Sequence, residues 1–284
     1  MDVPARARVG VVAGDAAGAP GSAEQTVAGA LVSTRQRNRL VHQLRYALTH
    51  PDRVVPHVRR LARNVGLGVR KRDHVSFYRE VMRHNVSTDP DLAVGSGSRR
   101  RWLELGRDQF DYLVANGLRP EHRLLEIGCG NLRGGWRFIE HLETGNYTGV
   151  DISPDVLFAA QGTLVEFSLQ HKLPRLTPVR DLTLSWLPPD SIDVVHAHSV
   201  FSHCPLEVIE QCLAHVGRVM APDAFFDFTF NATDGREHQV LREDYYYRPD
   251  HLAELAARYG FTAELRTDWD ANAQAKMRLR APTT

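Results

Sequence analysis

From about Arg99 onward, short apolar runs bounded by turn residues alternate with longer segments of 3.6-residue periodicity. No other feature constrains the fold as strongly. Strand alternating with helix requires parallel strands joined by helical crossovers, so both faces of the sheet are covered. The first helix reads RRRWLELGRDQFDYLVANG, with Trp102, Leu103, Phe110, Leu113 and Val114 as its apolar stripe. Gly117 closes it and Pro120 follows. The strands read HRLLEIG, NYTGVDI, LTPV, SIDVVHAH and AFFDFTFN. The helices between and after them read WRFIEHLE, DVLFAAQGTLVEFSL, PLEVIEQCLAHVGRVM and RPDHLAELAARYG. Pro249 starts the last helix and Gly260 ends it. FTAELRTDW and AKMRLRA complete the set with no helix between them, so one of them runs antiparallel. The expected fold is α/β: a mostly parallel seven-stranded sheet with helices on both faces and an antiparallel edge strand.

The preceding region differs. Residues 1–34 are rich in Ala, Gly and Val without periodicity and are expected to be a disordered tail. Residues 35–98 are expected to form a basic helical extension, and residues 99–284 the sheet domain. Between Arg35 and Arg83 there are 13 Lys or Arg against 3 Asp or Glu. RQRNRLVHQLRYALTH places Leu40, Val41, Leu44 and Leu48 on one helical face and arginines on the other. VVPHVRRLARNVGL repeats the style, and HVSFYREVMRHNV is a third amphipathic segment. STDPDLAVGSGS reads as a loop.

The chain has 284 residues, 43% hydrophobic and 24% charged, which is ordinary globular composition. Its net charge of +1 points to no acidic partner. Cys129, Cys204 and Cys212 are too few and too irregularly spaced for a disulfide framework or a zinc site. No apolar run approaches the roughly 18–20 residues of a membrane span, and the first residues lack signal-peptide architecture. A reducing cytoplasm is the expected setting.

LLEIGCGNLRGG, residues 124–135, is an apolar run broken by glycines at the end of the first strand. Ligands of open α/β sheets collect at strand carboxyl ends, at the topological switch point. A dinucleotide turn would read G-x-G-x-x-G. Gly128 and Gly130 fit, but Arg133 holds the third position and Gly134 comes one residue late. Glu126, just before the turn, would repel a diphosphate and suits an ammonium group. Asp151, ending YTGVDI, is placed to accept hydrogen bonds from both hydroxyls of a ribose. A ribose joined to an amino acid, with no required phosphate, has the shape of S-adenosylmethionine.

LLEIGCGNLRGG, YTGVDIS, SIDVVHAHSVFSHCP and CLAHVGRVMAPDAFFDFTF, in that order, resemble the successive motifs of the class I S-adenosylmethionine-dependent methyltransferases. The resemblance covers about Gly106 to Leu279 and implies a Rossmann-like sheet, S-adenosylmethionine as cofactor and S-adenosylhomocysteine as product. It also implies positions. Glu126, Gly128, Cys129 and Gly130 would lie along the methionyl and sugar part. Asp151 would clamp the ribose, with Ile152 against the adenine. Asp181 and Leu182 would flank the adenine. His198 would lie where cofactor meets substrate. The chain departs from the pattern at Leu132, where a third glycine is common, and at Pro222-Asp223-Ala224, where the family has a tight Pro-Gly-Gly turn.

An alcohol acceptor must lose its proton during methyl transfer, and a histidine can take it. HAHSVFSH supplies His196, His198 and His203. His203 is the candidate base and His198 a cofactor or substrate contact; alternatively both shape the pocket through hydrogen bonds. The segment after the fourth strand, His198-Ser199-Val200-Phe201, lacks the Asn/Asp-Pro-Pro-Tyr turn of DNA amino-methyltransferases. Oxygen methylation of a small molecule is therefore favoured: a hydroxyl on a saccharide, glycolipid or secondary metabolite. NATDGREHQVLREDYYYRP, with Asn231, His238, Tyr245, Tyr246 and Tyr247, could line the acceptor pocket or pack against the last helix. Asp227 and the histidines leave a divalent metal open, though no compact ligand motif argues for one. The basic extension could cover the substrate as a lid, engage an anionic membrane surface or contact nucleic-acid phosphates; the lid is favoured and nucleic acid disfavoured. The competing functions are a protein or RNA methyltransferase docking through that extension, and a non-catalytic cofactor-binding partner.

Overall fold

The computed structural model describes residues 73–269 and 271–281. The expected tail and the first two basic helices lie outside the described residues, which all belong to one compact unit.

Helix α1 (His74–Thr88) starts at Asp73, whose carboxylate accepts from the Ser76 N–H at 2.8 Å, and buries Phe77, Val81 and Met82. The segment expected as a loop contains one helical turn, α2 (Pro90–Ala93). Ser98 caps α3 (Arg99–Ala115), which buries Trp102, Leu105, Gly106, Gln109, Tyr112 and Leu113. Then follow β1 (Leu124–Ile127), α4 (Gly135–His141), β2 (Tyr147–Asp151), α5 (Pro154–Glu166), β3 (Arg175–Pro178), β4 (Ile192–Ala197), α6 (Leu206–Val219) and β5 (Met220–Ala232). After β5 come β6 (His238–Val240), β7 (Asp244–Tyr247), α7 (Pro249–Arg258), β8 (Thr262–Arg266) and β9 (Ala275–Arg280).

The sheet runs β3-β2-β1-β4-β5, all parallel, and β5 then pairs antiparallel with β9. β8 pairs antiparallel with β9 at the edge, so the reversed strand lies just inside β8. These are the seven expected strands. β6 and β7 are additional: they form a hairpin within the insertion, and β7 pairs with the end of β5 at Asn231 and Ala232. The expected turn at Pro222-Asp223-Ala224 lies within β5, next to a break in its register with β4; Asp223 takes a φ of +65° there.

Every residue of β1 and β2 is buried, which explains why these strands read as unbroken apolar runs. Alternation splits their side chains between two cores. Leu125, Ile127, Val150, Val195 and Phe226 pack with Ile209, Leu213 and Val216 of α6 and Leu252 and Leu255 of α7. Leu124, Val194 and Phe225 pack with Trp102 and Leu113 of α3, Phe138 of α4 and Leu164 of α5. With neighbours β2 and β4 on its two sides, β1 opens the switch-point crevice at its carboxyl end. The expected boundary at residue 98 is crossed by contacts: Arg79 of α1 donates to the carbonyls of Ile152 and Val179, at 2.7 and 3.3 Å, just beyond β2 and β3. Among the described residues no helix is long and apolar enough to cross a membrane.

Candidate active site

The glycine turn is held from three sides. Gly128 and Gly130 take φ values of +66° and +56°, where a side chain would be strained. The N–H groups of Gly128 and Cys129 both donate to the carbonyl of Val150, tying the turn to β2. Gly106 of α3 lies against it: a β-carbon there would come within 2.1 Å of the Arg133 carbonyl oxygen. Leu132 itself has a φ of +66°, so the position where the family often has glycine is indeed left-handed. Its side chain is fully buried among Trp102, Phe138 and Leu164, which offsets the conformational cost of about 1–2 kcal/mol.

Two carboxylates flank the turn. Asp151 is buried and accepts from the Gly130 N–H at 3.1 Å and the Ser153 N–H at 2.8 Å. Burial pushes its carboxyl up to about 6, against the pull of those N–H groups. Glu126, also buried, accepts from the Tyr147 hydroxyl. Burial raises it to about 7, opposed by that hydrogen bond and by the Arg133 charge. Cys129 has a buried thiol raised well above its ordinary range by burial. Ile152 is half-buried and its carbonyl is one of the two bound by Arg79.

The histidines separate into two environments. His196 pairs in register with Glu126 on one side and Asp227 on the other. His198, two residues on, is buried beside it, with ring centroids 6.2 Å apart, and meets Trp269 edge-on at 5.4 Å. Burial holds both imidazoles well below their usual range, so both are neutral. His203 lies in a short 3-10 turn, Phe201–His203, where its ring stacks on Tyr78 of α1. Its Nδ1 is 2.6 Å from the carbonyl of Glu243 and 3.4 Å from a carboxylate oxygen of Asp244. A carbonyl can only accept, so Nδ1 carries a proton, and in the neutral ring Nε2 is the nitrogen with the lone pair.

The remaining expected residues are spread more widely. Asp181 is exposed, its carboxylate accepting from the N–H and hydroxyl of Thr183. Leu182 is buried, and its N–H donates to Gln211 of α6. Tyr245 and Tyr247 belong to the core facing α6 and α7, and the Tyr247 hydroxyl donates to the Cys204 carbonyl. Tyr246 and His238 stack across the hairpin, 4.6 Å between centroids. Both oxygens of Asp227 accept from Arg278 at 2.7 Å, which takes this carboxylate away from any metal. Among the described residues no three His, Cys, Asp or Glu converge as a metal site.

Sequence reasoning missed Tyr78 and Arg79 of α1, which reach His203 and the carbonyls beyond β2 and β3, and Val94, which lies against Gly130 and whose carbonyl accepts from Arg133 at 2.5 Å. It also missed Val200, which fills the space beside Gly128. Lys276 and Trp269 went unnoticed too, because nothing local marks a lysine in an alternating strand as buried.

A family model described as a methyltransferase domain matches residues 125–226. A search of curated proteins gives no match. Among solved structures, the chain is similar to magnesium protoporphyrin IX methyltransferase from Synechocystis PCC 6803 with bound SAM, at 17% identity over 74% of this chain and 98% of that one, with a TM-score of 0.56. A SAM-dependent methyltransferase from Leishmania major aligns at 14% identity over 73% and 83%, with a TM-score of 0.57. A mitomycin 7-O-methyltransferase aligns at 16% identity over 62% and 54%, with a TM-score of 0.50. At these identities the structural likeness speaks for the fold. Together with the matched domain, it places the chain among proteins of the class I S-adenosylmethionine-dependent methyltransferase fold.

Proposed function

We propose that the protein transfers a methyl group from S-adenosylmethionine to an oxygen of a small-molecule acceptor. The observation that carries this reading is Asp151: a buried carboxylate at the tip of β2, hydrogen-bonded to the glycine turn and retaining acceptor capacity for a ribose diol. The residues fit the cofactor. Asp151 would hold the ribose and Glu126 would lie toward the methionyl ammonium, with Gly128, Cys129 and Gly130 allowing close backbone approach. Ile152, Leu182 and Asp181 would border the adenine.

When bound, the cofactor supplies an electrophilic methyl group on a sulfonium. The protein has to align the acceptor, exclude water and, for a hydroxyl, accept a proton. His203 suits the last task, because the Glu243 carbonyl fixes the tautomer that leaves Nε2 basic. Tyr78 and Arg79 bring α1 over the same end of the sheet, in keeping with a lid. His198 would stand on the acceptor side. A hydroxyl on a saccharide, glycolipid or secondary metabolite is the acceptor class this reading favours, and a neighbour of similar fold described as a mitomycin 7-O-methyltransferase supports oxygen as the atom methylated.

The test is transfer of radiolabelled methyl from S-adenosylmethionine into an extract fractionated into small molecules, lipids, RNA and protein. Label in the small-molecule fraction, reduced in His203→Ala while S-adenosylhomocysteine binding persists, supports the proposal. Label confined to RNA or protein would contradict the small-molecule acceptor.

A further inference from the structure

Across the face of the sheet that packs against α3, a polar row crosses five strands: Glu126, His196, Asp227, Arg278 and Glu264 are register partners in turn. Polar residues in a buried sheet need partners. Glu126 has Tyr147, and Asp227 has Arg278. One step nearer the carboxyl edge the pairing stops. Lys276 is fully buried, as is His196, and His198 and Trp269 are nearly so. Among the described residues, Lys276 Nζ, Trp269 Nε1, Arg133 Nε and both ring nitrogens of His196 and His198 have no hydrogen-bond partner.

The Lys276, Trp269, His198 and His196 side chains form one contiguous group. The Lys276 ammonium lies 4.3 Å from the ring centroids of both Tyr112 and Trp269. Trp269 meets His198, His198 stacks beside His196, and His196 meets Phe138 edge-on at 5.4 Å. The Arg133 and Lys276 charges both act on the two imidazoles. Register places the group at the cleft: Glu126 and His196 are partners, and two residues beyond them the chains reach Gly128 and His198.

The chemistry of the group is one-sided. It offers an ammonium, an indole N–H and one N–H from each neutral imidazole, against two imidazole lone pairs. Nearby carboxylates are engaged: Asp227 with Arg278, Asp268 with Arg266 and Tyr112, Glu126 with Tyr147. An apolar occupant would leave every donor unpaired, and a cation would meet two like charges. A carboxylate satisfies the donors, and the ring walls suit a flat body attached to it.

We propose that Lys276, Trp269, His198 and His196 form the acceptor-recognition subsite and that it takes a carboxylate borne on a planar, unsaturated body. This rests on the methyltransferase reading for the name acceptor, but the carboxylate site itself can be tested without turnover. Lys276 and Trp269 hold the carboxylate, the Arg133 charge adds to the positive field around it, and the neutral imidazoles hydrogen-bond the remaining oxygens of the same molecule.

The experiment is a fluorine-NMR titration of the whole protein with 4-fluorobenzoate and its uncharged analogue 4-fluorobenzamide, with S-adenosylhomocysteine binding measured in parallel. The wild type should prefer the benzoate by roughly tenfold or more. The preference should fade as pH rises through about 8, where burial has brought the Lys276 ammonium down to its titration. Lys276→Met should abolish the preference while S-adenosylhomocysteine binding is unchanged. Trp269→Phe, a milder change, should weaken benzoate severalfold and checks the result if Lys276→Met fails to fold. Absence of benzoate binding, equal affinity for the two probes, or a preference that survives Lys276→Met would overturn the proposal. Failure of S-adenosylhomocysteine to bind the wild type would instead strike the methyltransferase reading and leave the carboxylate result to be judged alone.

Discussion

Asp151, the last residue of β2, accepts a hydrogen bond of 3.1 Å from the backbone N–H of Gly130 in the turn after β1. The residue expected to hold the ribose thereby also holds the turn around the rest of the cofactor. Asp151→Ala should cost about 10- to 100-fold in S-adenosylhomocysteine affinity, the range for losing hydrogen bonds to a charged group. Asp151→Asn, which can still accept from Gly130, should keep the fold but recover only part of the affinity. Calorimetric titration of both variants checks this; equal, unchanged affinities would remove Asp151 from the site.

Leu132 makes an opposite-to-usual ordering of substitutions. At a φ of +66°, Leu132→Gly relieves backbone strain while losing side-chain packing. Leu132→Ala loses nearly the same packing and keeps the strain. Both variants should be destabilised, but Ala more than Gly by about 1 kcal/mol. Urea denaturation of the two variants reads this difference directly, and Gly as the less stable variant would count against it.

Gly106→Ala tests the seating of α3 on the turn. The added methyl would meet the Arg133 carbonyl, a backbone atom that cannot swing aside. The expected loss is about 1–3 kcal/mol of stability together with weakened cofactor binding. Loss of stability with full binding would show that helix and turn are not mechanically linked.

Glu126 carries a pH signature. Its carboxyl is raised from 4.5 to about 7 by burial, so the folded protein binds the proton more tightly than the unfolded chain. The stability contributed by that proton is present at low pH and declines as pH rises from about 4.5 through 7. Glu126→Gln removes the ionisation and should be more stable than wild type at pH 8, by on the order of 3 kcal/mol, with the difference vanishing toward pH 4. The same variant should bind S-adenosylhomocysteine more weakly. Denaturation at the two pH values, paired with binding at pH 8, checks both halves; a variant that is less stable at pH 8 would contradict the account.

The sheet was legible from Arg99 onward because strands buried on both faces spell themselves as apolar runs, as Leu124-Leu125 and Val194-Val195 do. The glycine turn was legible because its geometry demands particular residues. Lys276 and Arg278 were not. They alternate with Met277 and Leu279 as in a strand with one wet face, yet α3 and Trp269 cover that face, and Asp227 and two aromatic rings receive the charges. The hairpin of β6 and β7 was missed because His238–Val240 is short and polar and is ordered by pairing with β7, not by burial. The position of α1 over the carboxyl ends of β2 and β3 was beyond local pattern too, since it depends on Arg79 reaching two carbonyls distant in sequence.

The central claim is that the crevice bordered by the glycine turn and Asp151 holds an amino acid joined to an adenosine. Isothermal calorimetry of the whole protein with S-adenosylhomocysteine, beside adenosine diphosphate as a phosphate-bearing control, tests it most directly. The account requires saturable one-to-one binding of S-adenosylhomocysteine, weakened in Asp151→Ala, and little or no binding of the diphosphate. Absence of S-adenosylhomocysteine binding, or preference for the diphosphate, would contradict it.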